Sequence, residues 1–206
     1  MDALPDAATV FLVDDDPSVL RAVARLVRSA GWNVETFASA QSFLEREPRD
    51  VHGCLVLDVA MPGLNGLELQ QALTRSGSSY PIVFLTGHGD IPMSVRAIKA
   101  GAVDFLSKPC GDEDLLAAIA LALKHSAQAH AARIDGEART QRLATLTPRE
   151  HEVMLGVVAG KLNKQIAAEL GTVEKTIKVH RARVMKKLAV TSVADLVRLV
   201  ERTQAG

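Results

Sequence analysis

Between residues 9 and 125, five short apolar runs alternate with five amphipathic segments, and few folds accommodate that alternation. TVFLVD (9–14), NVETFA (33–38), CLVLD (54–58), PIVFLT (81–86) and VDFLSKP (103–109) read as strands. Apolar residues at helical spacing mark SVLRAVARLVRSAG (18–31), a short helix around SAQSFLERE, GLELQQALTRS (66–76), IPMSVRAIKAG (91–101) and a last helix that starts near Asp112. Five βα units in so short a span predict an α/β fold, a doubly wound five-stranded parallel sheet with helices on both faces. Asp16 followed by Pro17 is an N-cap with proline at the first helical position, and Gly31 closes the same helix.

Three of these strands end in a reactive side chain: Asp14 and Asp15 on the first, Asp58 on the third, Thr86 on the fourth. In open α/β sheets the carboxyl ends of the strands are where ligands bind. Three neighbouring carboxylates repel one another unless something offsets their charge. A hard divalent cation does so, and Mg²⁺, content with one or two carboxylates plus waters, fits best. Such an ion would also screen an incoming phosphate, leaving Asp58 free to attack phosphorus. Thr86 would donate its hydroxyl to a phosphoryl oxygen, and Lys108 would bring a positive charge.

The formal net charge of zero hides an asymmetry. Residues 1–124 carry 16 acidic and 10 basic side chains, whereas residues 125–206 carry 8 and 14. An acidic half joined to a basic half predicts two domains with different partners, the basic one facing a polyanion. Residues 125–142 are rich in Ala, Arg and Gln, lack clear apolar periodicity, and read as a partly helical linker between domains at 1–124 and 143–206. From Thr147 the pattern is entirely helical. Thr147, Pro148 and Glu150 form a capping box, Asn163 is expected to cap a short helix over 163–170, and longer helices follow over 174–188 and 192–203. Cys54 and Cys110 have neither disulfide nor zinc spacing, no apolar run is long enough to span a bilayer, and MDALPDAATV is not a secretory signal, so a cytoplasmic protein is expected.

In their order, VDDD, LDVAMPG, LTGHGD and DFLSKP resemble the receiver domain of two-component response regulators over residues 8–124. The resemblance implies a flavodoxin-like sheet in which Asp58 accepts a phosphoryl group from a sensor histidine kinase. It implies Mg²⁺ held by Asp15, Asp58 and the backbone carbonyl of Ala60, with Asp14 acting through water. Thr86 and Phe105 would form a switch pair, Lys108 would bridge to the phosphate, and the Lys108–Pro109 bond would be cis. His88 reads as a surface loop residue. Ala60, small and unable to orient water, predicts slow self-dephosphorylation.

LTPRE, NKQIA and TIKVH are similar to the LuxR-type helix-turn-helix of the NarL and FixJ families, over about residues 143–203. The resemblance implies an all-α, four-helix domain that binds double-stranded DNA, with 163–170 as positioning helix and 174–188 as recognition helix. Lys178, Val179, Ala182 and Arg183 would approach base edges; Asn163, Lys164, Lys175, Thr176 and Arg181 would hold phosphates. The role of His180 stays open. Val173 stands where the family usually has a serine N-cap, a loss of about 1 kcal/mol unless Thr172 caps instead. Leu196, Val197, Leu199 and Val200 are expected as a dimer face, and Ile91, Met93, Val95 and Ile98 as a second one.

The expected protein is therefore a transcription regulator with RNA polymerase as a further partner and no membrane contact, forming a homodimer when phosphorylated. A DNA-binding regulator whose receiver works without phosphorylation is the alternative. A phosphohydrolase is disfavoured, because those enzymes place a second Asp where this chain has Ala60.

Overall fold

The strands alternate their side chains between two faces, and in this chain both faces are apolar. The computed structural model describes residues 8–46, 52–78, 80–87 and 90–204; His88 lies outside them. Elements follow in the order β1 (Thr9–Val13), α1 (Pro17–Ser29), β2 (Asn33–Phe37), α2 (Ala40–Leu44), β3 (Gly53–Leu57), α3 (Gly66–Arg75) and β4 (Ile82–Thr86). α4 (Ile91–Lys99), β5 (Asp104–Ser107) and α5 (Asp112–Ala144) follow. The chain ends in α6 (Pro148–Val158), α7 (Asn163–Glu169), α8 (Glu174–Lys187) and α9 (Val193–Gln204).

All strand pairs are parallel, in the order β2-β1-β3-β4-β5. Phe11, Val13, Leu55, Leu57 and Phe84 face one way and pack with residues of α2, α3 and α4. Val10, Leu12, Cys54, Val56, Val83 and Leu85 face the other way, onto α1 and α5. The period of two in these strands thus supplies two cores at once. The order of strands reverses between β1 and β3, and ligands of such sheets bind at that switch point. Asp16 caps α1, accepting from the Ser18 backbone N–H at 2.7 Å, with Pro17 at the first helical position.

Gln70 of α3 is buried and reaches across the fold. Its Nε2 donates to the carbonyl oxygens of Ala97 (3.2 Å) and Ala100 (3.3 Å), at the C-terminal end of α4. Ala97 O also accepts from the Ala102 backbone N–H at 3.0 Å, so the amide adds a second donor at this helix end.

The chain divides into two compact units, residues 1–131 and 132–206, and the division falls inside α5. The segment 125–142, expected as a partly helical linker, lies within this helix throughout. The last residue of α5 to be buried is Ser126, whose hydroxyl accepts from the Gly53 backbone N–H at 2.9 Å.

In the second unit, Val153, Met154, Val157, Ile166, Ile177, Val184 and Leu188 form a core to which α9 contributes Leu196, Leu199 and Val200. This corrects the expectation of a dimer face on α9. Leu196 is 0% exposed, Leu199 8% and Val200 5%, so three of the four residues are spent on the domain's own core; Val197 is half-buried. A second correction concerns α7: Asn163 is its first helical residue rather than its cap. Leu162 stands at the cap, and its backbone N–H donates to Gln165 Oε1 at 2.8 Å.

Replacing Gln70 with leucine removes the side-chain donor, after which Ala97 O keeps only the Ala102 N–H. We expect Gln70→Leu to lower the unfolding free energy by about 0.5–1.5 kcal/mol in urea denaturation; an unchanged midpoint would mean that water serves those carbonyls equally well.

Candidate phosphorylation site and DNA-binding surface

β1 and β3 are hydrogen-bonded neighbours in register, so the residues that follow them emerge side by side. Asp58 N–H donates to Val13 O (2.9 Å) and Asp14 N–H to Phe37 O (3.1 Å), which extends the ladder by one residue and fixes both aspartates. Carboxylate oxygens of Asp14, Asp15 and Asp58 lie within 4.8 Å of one another; Asp14 and Asp58 are buried and Asp15 is exposed. Lys108 reaches them from the end of β5. Its Nζ is 2.5 Å from Asp14 Oδ2 and 3.6 Å from Asp58 Oδ1. The Asp16 backbone N–H donates to Asp14 Oδ1 at 2.9 Å.

The electrostatics of this cluster are unresolved by the protein alone. Burial pushes the Asp14 carboxyl above the usual carboxylate range, outweighing the opposing effect of Lys108. Asp58 Oδ1 is buried and accepts no hydrogen bond from the described residues. A set of three carboxylates with one such oxygen fits a hard cation that takes oxygen ligands.

Thr86 is fully buried at the end of β4, and its carbonyl accepts from the Lys108 backbone N–H at 2.8 Å. Phe105 is half-buried on β5, its ring centre 5.9 Å from that of Phe84. Ala60 is exposed, two residues beyond Asp58. The Lys108–Pro109 bond is cis. Gly66 opens α3 directly behind the acidic cluster; a Cβ there would lie 2.3 Å from the Asp58 carbonyl oxygen, so only glycine permits this approach.

In the second unit, Gly171, at φ +63°, makes the turn between α7 and α8. Val173 caps α8 with no side-chain hydrogen bond, and Thr172 does not replace it. Lys164 on α7 and Lys175, Lys178, Val179, Ala182 and Arg183 on α8 are exposed, while Asn163, Thr176 and Arg181 are half-buried. The sequence singled out all nine, and the structure places them on these two helices. His180 is half-buried, and its Nδ1 has no hydrogen-bond partner among the described residues.

Two basic residues counted toward the positive surplus turn inward. Arg149 donates to Leu170 O at 2.5 Å, at the C-terminal end of α7. Lys187 Nζ donates to Glu150 Oε2 (2.6 Å) and Thr145 O (2.9 Å), tying the end of α8 to the start of α6. Lys187, together with the Thr147 backbone N–H, holds the buried Glu150 carboxyl down at about 2.

The sequence matches the family model described as response regulator receiver domain over residues 10–120, and that of bacterial regulatory proteins, luxR family, over residues 144–200. The chain belongs to the two-component response regulators that join a receiver to a LuxR-type DNA-binding domain, and it is a transcription regulator rather than an enzyme. It is 47% identical to the response regulator protein TodT of Pseudomonas putida, over 95% of this chain and 86% of that one. To the transcriptional regulatory protein FixJ of Bradyrhizobium diazoefficiens it is 42% identical, over 94% of each. Among solved structures, the low-resolution structure of response regulator StyR has a TM-score of 0.88 and 51% identity, over 95% of this chain and 99% of that one.

A carboxyl whose folded value is depressed stabilises the fold above its unfolded value and loses that contribution as pH falls toward the folded one. Glu150→Gln should therefore lower the thermal midpoint at pH 7, and the gap from wild type should close as pH falls from about 4.5, the ordinary value, to about 2. Circular dichroism melts across that range would show it; a gap independent of pH would mean that the carboxylate charge contributes nothing.

Proposed function

We propose that this chain couples phosphorylation of Asp58 to sequence-specific binding of double-stranded DNA. The observation that carries the reading is the convergence of Asp14, Asp15, Asp58 and Lys108 at one sheet edge, beside Thr86. The donor is a sensor histidine kinase, whose phosphohistidine transfers its phosphoryl group to a carboxylate oxygen of Asp58 as the N–P bond breaks. Mg²⁺ would be held by Asp15, Asp58 and the Ala60 carbonyl, with Asp14 through water, and when bound it supplies charge neutralisation for the phosphoryl oxygens. Lys108, already close to Asp58, contributes a second positive charge, and the Thr86 hydroxyl donates to the phosphoryl group. Phe105 follows Thr86 as the second half of the switch.

The exposed apolar side chains of α4 then serve dimerisation. Ile91 is 80% exposed, Val95 45% and Ile98 46%, whereas Met93 packs against the receiver core and is left out of this face. Two linked recognition helices would reach two half-sites in the major groove, with Lys178, Val179, Ala182 and Arg183 at base edges. RNA polymerase in the cytoplasm is the onward partner. None of the described helices is long and apolar enough to cross a membrane.

Sedimentation velocity with Mg²⁺, with and without beryllofluoride, tests the switch. Wild type should pass from monomer to dimer, and Asp58→Asn should not. A wild type that stays in one state throughout would sink phosphorylation-driven dimerisation and favour a receiver that works independently of phosphorylation.

The lifetime of the phosphorylated form follows from Ala60. A methyl group beside the acceptor cannot orient an attacking water. Ala60→Asn should shorten the half-life of phospho-Asp58 several-fold in a decay assay, and an unchanged rate would remove position 60 from the account.

A further inference from the structure

The DNA-binding domain carries fewer available cations than its sequence suggests, and one arginine changes role. Besides Lys187 and Arg149, Lys161 is held by both carboxylate oxygens of Glu169 at 2.7 Å. Lys178 pairs with Glu174 at 3.1 Å, but both are well exposed, and such a pair is readily exchanged for another partner. Arg181 differs from these. Its Nη1 donates across from α8 to Oδ1 of Asn163 on α7, at 3.1 Å, in a half-buried position. By contrast, Lys164, Lys175, Arg183 and Lys186 are exposed and have no ion pair or hydrogen bond from their side chains among the described residues.

Resting on the DNA-binding reading above, we propose that Arg181 is a positioning residue rather than a phosphate contact: it fixes the Asn163 carboxamide, and the phosphate-neutralising cations are Lys164, Lys175 and Lys186. A carboxamide has one acceptor oxygen and one nitrogen with two donors. Arg181 takes the oxygen, which sets the orientation of the group and leaves the Nδ2 donors for a phosphate. Nδ2 makes no hydrogen bond to the described residues. The contact joins α8 to α7, so the carboxamide is held relative to the recognition helix. Arg181 is half-buried, while Lys164, Lys175 and Lys186 are exposed.

Counterion release separates the two roles. Each phosphate neutralised by a cation adds about 0.9 to the slope of log affinity against log salt concentration, and a neutral hydrogen bond or a positioning contact adds none. The test uses full-length protein with Mg²⁺ and beryllofluoride, a duplex selected by the wild type from random-sequence DNA, and fluorescence anisotropy across a KCl series. For a dimer on two half-sites, Lys175→Met should flatten the slope by about 1.8. Arg181→Met should weaken binding roughly tenfold at fixed salt with the slope unchanged. Asn163→Ala should cause a similar loss, and the double variant no further one, because both changes break the same contact. Arg181→Gln keeps an N–H donor on the same helix face without the charge; it guards against a misfolded Met variant and should retain wild-type slope. A slope flattened at Arg181 as much as at Lys175 would overturn the proposal, as would additive losses at 163 and 181. Failure of the wild type to select any duplex would instead overturn the DNA-binding reading itself.

Discussion

The receiver is organised around an electrostatic conflict at the ends of β1 and β3. Asp14 and Asp58 are buried within reach of each other, and one lysine lies near both. Burial alone would favour neutral acids, and the rise in the Asp14 value shows that Lys108 does not fully compensate it. Everything nearby holds this arrangement in place: the ladder bonds that carry the two aspartates, the fully buried Thr86 whose carbonyl anchors Lys108, and the glycine that lets α3 approach from behind. A site so arranged gains from a cation and from a group that brings its own negative oxygens to a cation, which is the chemistry of phosphoryl acceptance.

How much of this was legible in the sequence depends on the range of the interaction. The five strands and the caps at Asp16 and Thr147 are local patterns, and the pocket followed because strand ends of a parallel sheet share an edge. Contacts between distant residues left no such signal. Gln70 with Ala97, Glu150 with Lys187 and Asn163 with Arg181 are separated by 27, 37 and 18 residues, and no spacing rule points from one to the other. Apolar periodicity shows that a helix face is covered without saying by what, so the stripe of α9 read as a dimer face although it belongs to the core. Over 125–142 weak periodicity suggested a linker, yet the segment is alanine-rich, proline-free and contains a single glycine, which keeps it helical.

The same distinction applies to charge. Composition assigned the second half a surplus of positive side chains, and the fold then divided them. Arg149 closes a helix end, Lys187 neutralises a buried carboxylate, and most of the others remain outward, some of them paired. The count of basic side chains therefore sets an upper bound on the cations such a domain brings to a polyanion.

Strand β1 serves both cores and the pocket with five residues. A change of side chain there damages one face, but a change of chain length is different in kind. Deleting one residue would turn Phe11 and Val13 toward the helices built for Val10 and Leu12, and would draw the aspartates back from the edge in the same step. Insertions and deletions within β1 should thus be closed to evolutionary drift even where individual substitutions are not. The strand is a ruler whose length, more than its composition, calibrates the chemistry at its end.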